Sequence, residues 1–168
     1  QQLLQGRQFK ETIMLENCKS AKERWGGVNT IIDRWLQERQ EMLVSYCGLS
    51  PIAIFDESNS EHRQKVRHFC QTLMDYISAG HFEVYEQLIK EGRDFGDKDA
   101  LKAASKPYTV IDTTTEKLLD FNDKYQETDD MMALAADLSN IGQQLASRFE
   151  AEDEMISILH DSHTDMVA

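Results

Sequence analysis

Apolar positions recur every three to four residues along almost the whole chain. That is the spacing of one helix face, not the alternation of a strand. Three stripes are long. The first is Val28, Ile31, Ile32, Trp35, Met42, Leu43 and Tyr46. The second is Phe69, Leu73, Ile77, Gly80, Val84 and Leu88. The third is Leu134, Leu138, Ile141, Leu145, Phe149, Ile156 and Leu159. The residues between them place the elements. The pattern predicts a helix over 14–25 closed by Gly26-Gly27 as a C-cap pair, then a helix over 28–47. A loop over 48–60 follows, with Ser60 as the N-cap of a helix over 61–95. A short helix breaks at Pro107, a long one covers 108–125, "QETDD" turns the chain, and a last helix covers 130–163. Residues 1–13 read as a tag or an N-terminal extension, and 14–168 as one helical domain. Four long amphipathic helices with modest connections predict an all-α fold: an antiparallel four-helix bundle with additional short helices.

The stretch "DYISAGHFEVYE" (75–86) raises the first functional question. The core stripe passes through Gly80, so the helix is expected to continue there. A missing side chain on a core face then serves a close approach by another helix, at a cost of about 1 kcal/mol relative to alanine. A kink at Gly80 is the competing expectation. On the opposite side Gln71, Asp75, Ser78, Phe82, Glu86 and Ile89 share one face. An aromatic among acceptors on an outward face has the composition of a recognition patch. The alternative is that another helix of the bundle covers it.

Two charges fall on core stripes. Arg39 lies between Trp35 and Met42, and Glu152 lies between Phe149 and Ile156. A charge on a core face is costly unless paired. The expectation is therefore that Arg39 and Glu152 meet inside the bundle, with Arg148 and Asp75 as further members. The alternative is that both charges snorkel outward at the bundle ends.

Charge changes the picture of what the chain binds. The net charge is −12 over 168 residues, and from Glu116 onward thirteen acidic residues face three basic ones. Such a chain repels nucleic acid and anionic membranes and attracts basic partners, DNA-binding proteins among them. No apolar run approaches the ~18 residues of a membrane span. Cys18, Cys47 and Cys70 are odd in number and lack metal or disulfide spacing, which fits a reducing compartment.

Catalytic and metal patterns are weak. None of His62, His68, His81, His160 and His163 has a carboxylate at the three- or four-residue spacing used by di-iron bundles. His160 and His163 alone are spaced to share an ion. "HRQKV" at 62–66 offers a lysine after its histidine but not the glycine of a histidine phosphotransfer bundle. His81 beside Asp75 or Glu86 is a candidate acid–base group. No phosphate loop or nucleophile motif is present, and no cofactor or metal is expected.

Long segments resemble one known family. "DRWLQER" (33–39), "FCQTLMDYISAGHFEVYEQL" (69–88) and "IGQQLASRFEAEDEMI" (141–156) occur in order, and Gly26-Gly27 stands where that family has a glycine pair. The chain resembles the Rsd/AlgQ family, the regulators of sigma D, and "ERWGG" and "GHFEVYEQL" lean toward the pseudomonad AlgQ branch. The loop 48–60 and the segment 90–107 match poorly. The resemblance implies a cytoplasmic, all-α bacterial anti-sigma factor, not an enzyme. Its expected partner is the primary sigma factor, chiefly the C-terminal domain that reads the −35 promoter element. It also implies interference with sigma's contact with core RNA polymerase as growth slows. Carried over by position, Asp75, Ser78 and Phe82 match family residues implicated in sigma contact. Ile31 and Asp33 are their neighbours on the preceding helix, and Glu86 joins them through the shared face. A monomer is expected, with weak self-association through the exposed Phe82 face as the alternative. A histidine phosphotransfer protein, or a bundle that binds some other regulatory protein, is the alternative.

Overall fold

The structure is a computed structural model that describes residues 10–19, 30–128 and 130–161. Helix α1 occupies residues 10–19, upstream of the expected start at Met14. The expected end of that helix and Gly26-Gly27 lie outside the described residues. Then follow α2 (Thr30–Leu49), α3 (Ser60–Ala79), a π-turn (Gly80–Val84), α4 (Tyr85–Asp94), α5 (Lys98–Tyr125) and α6 (Leu134–Leu159).

Local chemistry explains where the helices begin. Asn59, not Ser60, caps α3: its side-chain oxygen accepts from the backbone N–H groups of Glu61 (2.9 Å) and His62 (3.3 Å). Ser60 becomes the first helical residue. An asparagine one position earlier reaches the same orphan donors. Asp97 caps α5 by accepting from Ala100 N–H at 3.0 Å. The expected break at Pro107 does not occur, and α5 runs through it as one helix of 28 residues. Proline removes one ladder hydrogen bond. Here that loss is set against a helix anchored on both sides by the buried Ala104, Pro107 and Ile111.

The four long helices run up-down-up-down, as their side-chain register shows. Tyr46, near the end of α2, donates to the Leu138 carbonyl near the start of α6 at 2.7 Å. Arg39, earlier in α2, meets Glu152, later in α6. Phe69 packs tilted against Tyr46 of α2 and edge-on to Phe121 of α5, while His81 further along reaches Thr115, earlier in α5. Arg148 of α6 reaches Thr114 of α5, and the Tyr125 hydroxyl donates to Asp137 at 2.5 Å. The expected stripes supply much of the core, with Trp35, Leu73, Leu145 and Ile156 fully enclosed, while Ile31 is half-buried; α5 adds Ile111 and Leu118. Each fully enclosed side chain contributes about 1.5–3 kcal/mol.

Gly142 marks the close approach of α2 to α6, because a Cβ there would collide with the Tyr46 hydroxyl. Replacing it with alanine gains about 1 kcal/mol of helix propensity. It also displaces Tyr46 from Leu138 and overpacks the seam, at a cost of about 1–3 kcal/mol. Gly142→Ala is therefore expected to lower stability, read as a reduced urea midpoint with an unchanged slope.

Candidate functional site

The face singled out by sequence is open in the structure. Phe82 is 77% exposed. Asp75 and Glu86 are exposed and Ser78 is half-buried. Asp75 accepts a hydrogen bond from Gln71 at 3.1 Å along the same helix. Ile89 is half-buried and packs against the core, so Phe82 is the large apolar group presented there. No helix among the described residues covers this face.

The two residues expected from α2 divide. Ile31 lines a groove of about 1100 Å³ together with Arg34, Phe82, Glu83, Glu86 and Tyr108. This groove lies between the start of α2, the π-turn with α4, and the flank of α5. Asp33 is half-buried on α2 and is not part of the groove wall. Arg34 ties α2 to the π-turn through Glu83 at 3.0 Å and also lies 3.8 Å from Glu38.

Glu38, Arg34, Glu83 and Tyr108 were not singled out from sequence. The spacing of Arg34 and Glu38 was a readable signal, but the meeting of α2 with the π-turn was not. Burial pushes the Glu38 carboxyl above its ordinary range. The negative charges of Asp75, Glu41 and Glu83 push it the same way, against Arg34. Glu38 thus sits among the carboxylates of Asp75, Glu41 and Glu83 with Arg34 as its cation.

Behind this face lies a buried polar cluster. Arg39 Nη1 reaches Glu152 at 3.4 Å and Asp153 at 2.9 Å. Arg148 is enclosed and fully committed: Nε donates to the Tyr76 hydroxyl (2.9 Å), Nη2 to the Tyr85 hydroxyl (3.2 Å), and Nη1 to Thr115 (2.6 Å) and the Ile111 carbonyl (3.0 Å). Glu152 in turn accepts from the hydroxyls of Tyr76 (2.7 Å) and Tyr85. The structure therefore joins Arg39, Arg148 and Glu152 but leaves Asp75 outside. Tyr76, one step around α3, points inward where Asp75 points out. Burial raises the Glu152 carboxyl pKa, and Arg148 and Arg39 oppose that shift.

Three histidines are tied down structurally, while His68 is exposed. His81 bonds Thr115 at 2.9 Å, not Asp75 or Glu86. His62 accepts from the Asp56 N–H at 3.1 Å and its ring packs edge-on to Phe55. His160 faces Glu91 at 3.2 Å, and His163 lies outside the described residues. Among the described residues no group of three or more His, Cys, Asp or Glu side chains is placed to hold a metal ion. Burial pushes the Cys47 thiol up to about 12 and Cys70 to about 11, so neither offers a thiolate.

His81 carries a pH prediction. Burial, and then the positive charge of Arg148, hold its imidazole below the ordinary 6.5, against the weaker pull of Asp112. The unfolded chain therefore takes the proton first as pH falls. The stability tied to neutral His81 is complete above about 6.5 and is lost as pH falls through its folded value. Urea midpoints at pH 7.0 and 5.5 should differ more for the native chain than for His81→Gln. Equal differences would remove His81 from the acid response.

Comparison with known proteins adds to this geometry. The family model described as "Regulator of RNA polymerase sigma(70) subunit, Rsd/AlgQ" matches residues 14–160. A protein named regulator of sigma D from Salmonella paratyphi B is 35% identical over 157 residues, 90% of this chain and 95% of that protein. Its namesake from an Enterobacter species is 35% identical over 155 residues, 89% of this chain and 92% of that protein.

Proposed function

The chain belongs to the Rsd/AlgQ family, and from that membership we propose that it is an anti-sigma factor. It binds the primary sigma factor, chiefly the C-terminal domain that reads the −35 element. In doing so it limits sigma's association with core RNA polymerase and regulates bacterial transcription. The observation that carries this reading is Phe82, exposed on the π-turn in one groove with Glu83 and Glu86.

The chemistry of the partner fits that surface. A helix-turn-helix module that reads promoter DNA carries basic residues for phosphate contact, and the exposed carboxylates of Asp75 and Glu86 attract them as phosphates do, while Arg34, Lys90 and Arg93 line the groove beside Phe82. Asp75, Ser78, Glu86 and Ile31 surround the anchor, and Asp33 extends the acidic rim along α2. The charges speed encounter, while the desolvated aromatic sets how long the complex lasts. The protein works by binding, without a cofactor or a catalytic step, and it does so in the cytoplasm, where sigma is. No helix among the described residues is long and apolar enough to cross a membrane.

The test is isothermal titration with the isolated C-terminal domain of the host's primary sigma factor at two salt concentrations. Saturable one-to-one binding that weakens with salt is expected. Complete absence of heat at micromolar concentrations, with the remainder of sigma binding normally, would move the contact to another sigma domain.

A further inference from the structure

We infer that the buried Tyr85–Glu152–Arg148 cluster, acting through the π-turn, sets the direction in which Phe82 is presented, so that Tyr85 and Gly80 are positioning residues for the partner site. The inference rests on the reading of Phe82 as the partner's anchor.

Three observations converge on it. The Tyr85 backbone N–H bonds the Gly80 carbonyl, five residues back. That bond takes up one residue more than an α-helix allows. On a continuous α-helix Tyr85 would lie roughly 140° around from Gly80 at 100° per residue. Here its ring lies directly over the glycine: a Cβ on Gly80 would stand 2.7 Å from the Tyr85 hydroxyl and 2.8 Å from Cζ. Gly80 therefore makes room for a side chain of its own segment, not for the neighbouring helix expected from the stripe.

The phenol that fills this space is held at its tip. It donates to Glu152 and accepts from Arg148 Nη2, both on α6. The same turn is held on its flanks. His81 packs edge-on to Tyr85 at 5.2 Å and bonds Thr115 of α5, and Glu83 is paired with Arg34 of α2. Phe82 sits between these two tethered residues. Single π-turns inside α-helices occur often at functional sites, and this one carries its exposed aromatic on a turn fastened inside to α6 and on its flanks to α5 and α2. If the Tyr85 tether fails, the turn is free to relax toward regular α-helix. That relaxation removes the roughly one-residue step, about 100°, between α3 and α4, and Phe82, midway along the turn, rotates by part of it.

The experiment is calorimetric titration of the sigma C-terminal domain into four forms of the full chain: native, Phe82→Ala, Tyr85→Phe and the double variant. Helicity and thermal unfolding are recorded for each. Tyr85→Phe keeps the ring and removes only the hydroxyl, so the bundle should stay folded while affinity falls about tenfold or more, the loss expected of a displaced anchor. In the Phe82→Ala background the same change should cost nothing further. A second variant, Gly80→Ala, keeps the hydroxyl but pushes the ring aside, and it should reproduce the loss.

If Phe82→Ala weakens binding while Tyr85→Phe and Gly80→Ala bind within about twofold of native, the positioning role is overturned and the partner site stands. Losses that add in the double variant overturn it too, because Tyr85 would then act independently of Phe82. If Phe82→Ala binds like the native chain, the anchor reading fails and the positioning role falls with it.

Discussion

Glu152→Ala is expected to lose about 3–5 kcal/mol of folding stability, the cost of breaking a buried ion pair by removing one partner. The side chain is wholly enclosed and accepts from Tyr76 and Tyr85 while facing Arg39 and Arg148. Without it, two guanidinium groups and two phenols lose their common acceptor inside the bundle. Arg148 keeps Thr114, Thr115 and the Ile111 carbonyl, and Arg39 keeps Asp153, which prevents a still larger loss.

The companion substitution Arg39→Met should behave in the opposite way. Arg39 is buried, yet among the described residues its Nε and Nη2 have no hydrogen-bond partner of ordinary geometry, with the Cys18 thiol as a weak neighbour, and an orphaned donor costs about 1–3 kcal/mol. Methionine fills similar space between Trp35 and Phe149, whose faces flank the guanidinium at 4.8 and 4.9 Å. Glu152 would still have Arg148 and both tyrosines. Urea unfolding should place Arg39→Met within about 1 kcal/mol of the native chain, or above it. If Glu152→Ala cost less than Arg39→Met, the carboxylate would not be the hub of the cluster.

Phe82→Ala is the second large effect, on binding and not on stability. At 77% exposure the ring contributes little to the core, so unfolding should be unchanged. Burial of a central aromatic against a partner typically accounts for about 1–3 kcal/mol. The loss should appear mainly as faster dissociation, since most interface substitutions act on the off-rate. Charge removal at the rim, as in Glu86→Gln, should instead slow association and flatten the salt dependence. Titration and rapid-mixing kinetics with the sigma domain separate the two. An unchanged dissociation rate for Phe82→Ala would place the anchor elsewhere.

Much of the fold was legible in the residues because burial in a bundle follows a helical period. The stripe through Phe69, Leu73, Ile77, Gly80, Val84 and Leu88 is buried throughout, and Arg39 and Glu152 stood out as charges on apolar faces. Pro107 misled because a local rule was set against a tertiary anchor: α5 continues where its buried residues on either side hold it. Asp75 misled because a single helical step separates an outward carboxylate from the inward Tyr76. The acidic neighbours Glu38 and Glu83 gain their meaning only when α2 meets the π-turn.

The helical class and the apolar faces were determined by sequence alone, since each depends on composition and local period, and the family was legible in long segments occurring in order; the α-helical period put Phe82 on an outward face but did not set the direction in which the turn presents it. The π-turn, the tether of Tyr85 to Glu152 and Arg148, and the groove from Ile31 to Tyr108 were decided by tertiary structure. The reason is geometric. A one-residue change in helical phase has no signature in residue spacing and is stable only because side chains from α2, α5 and α6 hold the turn in place.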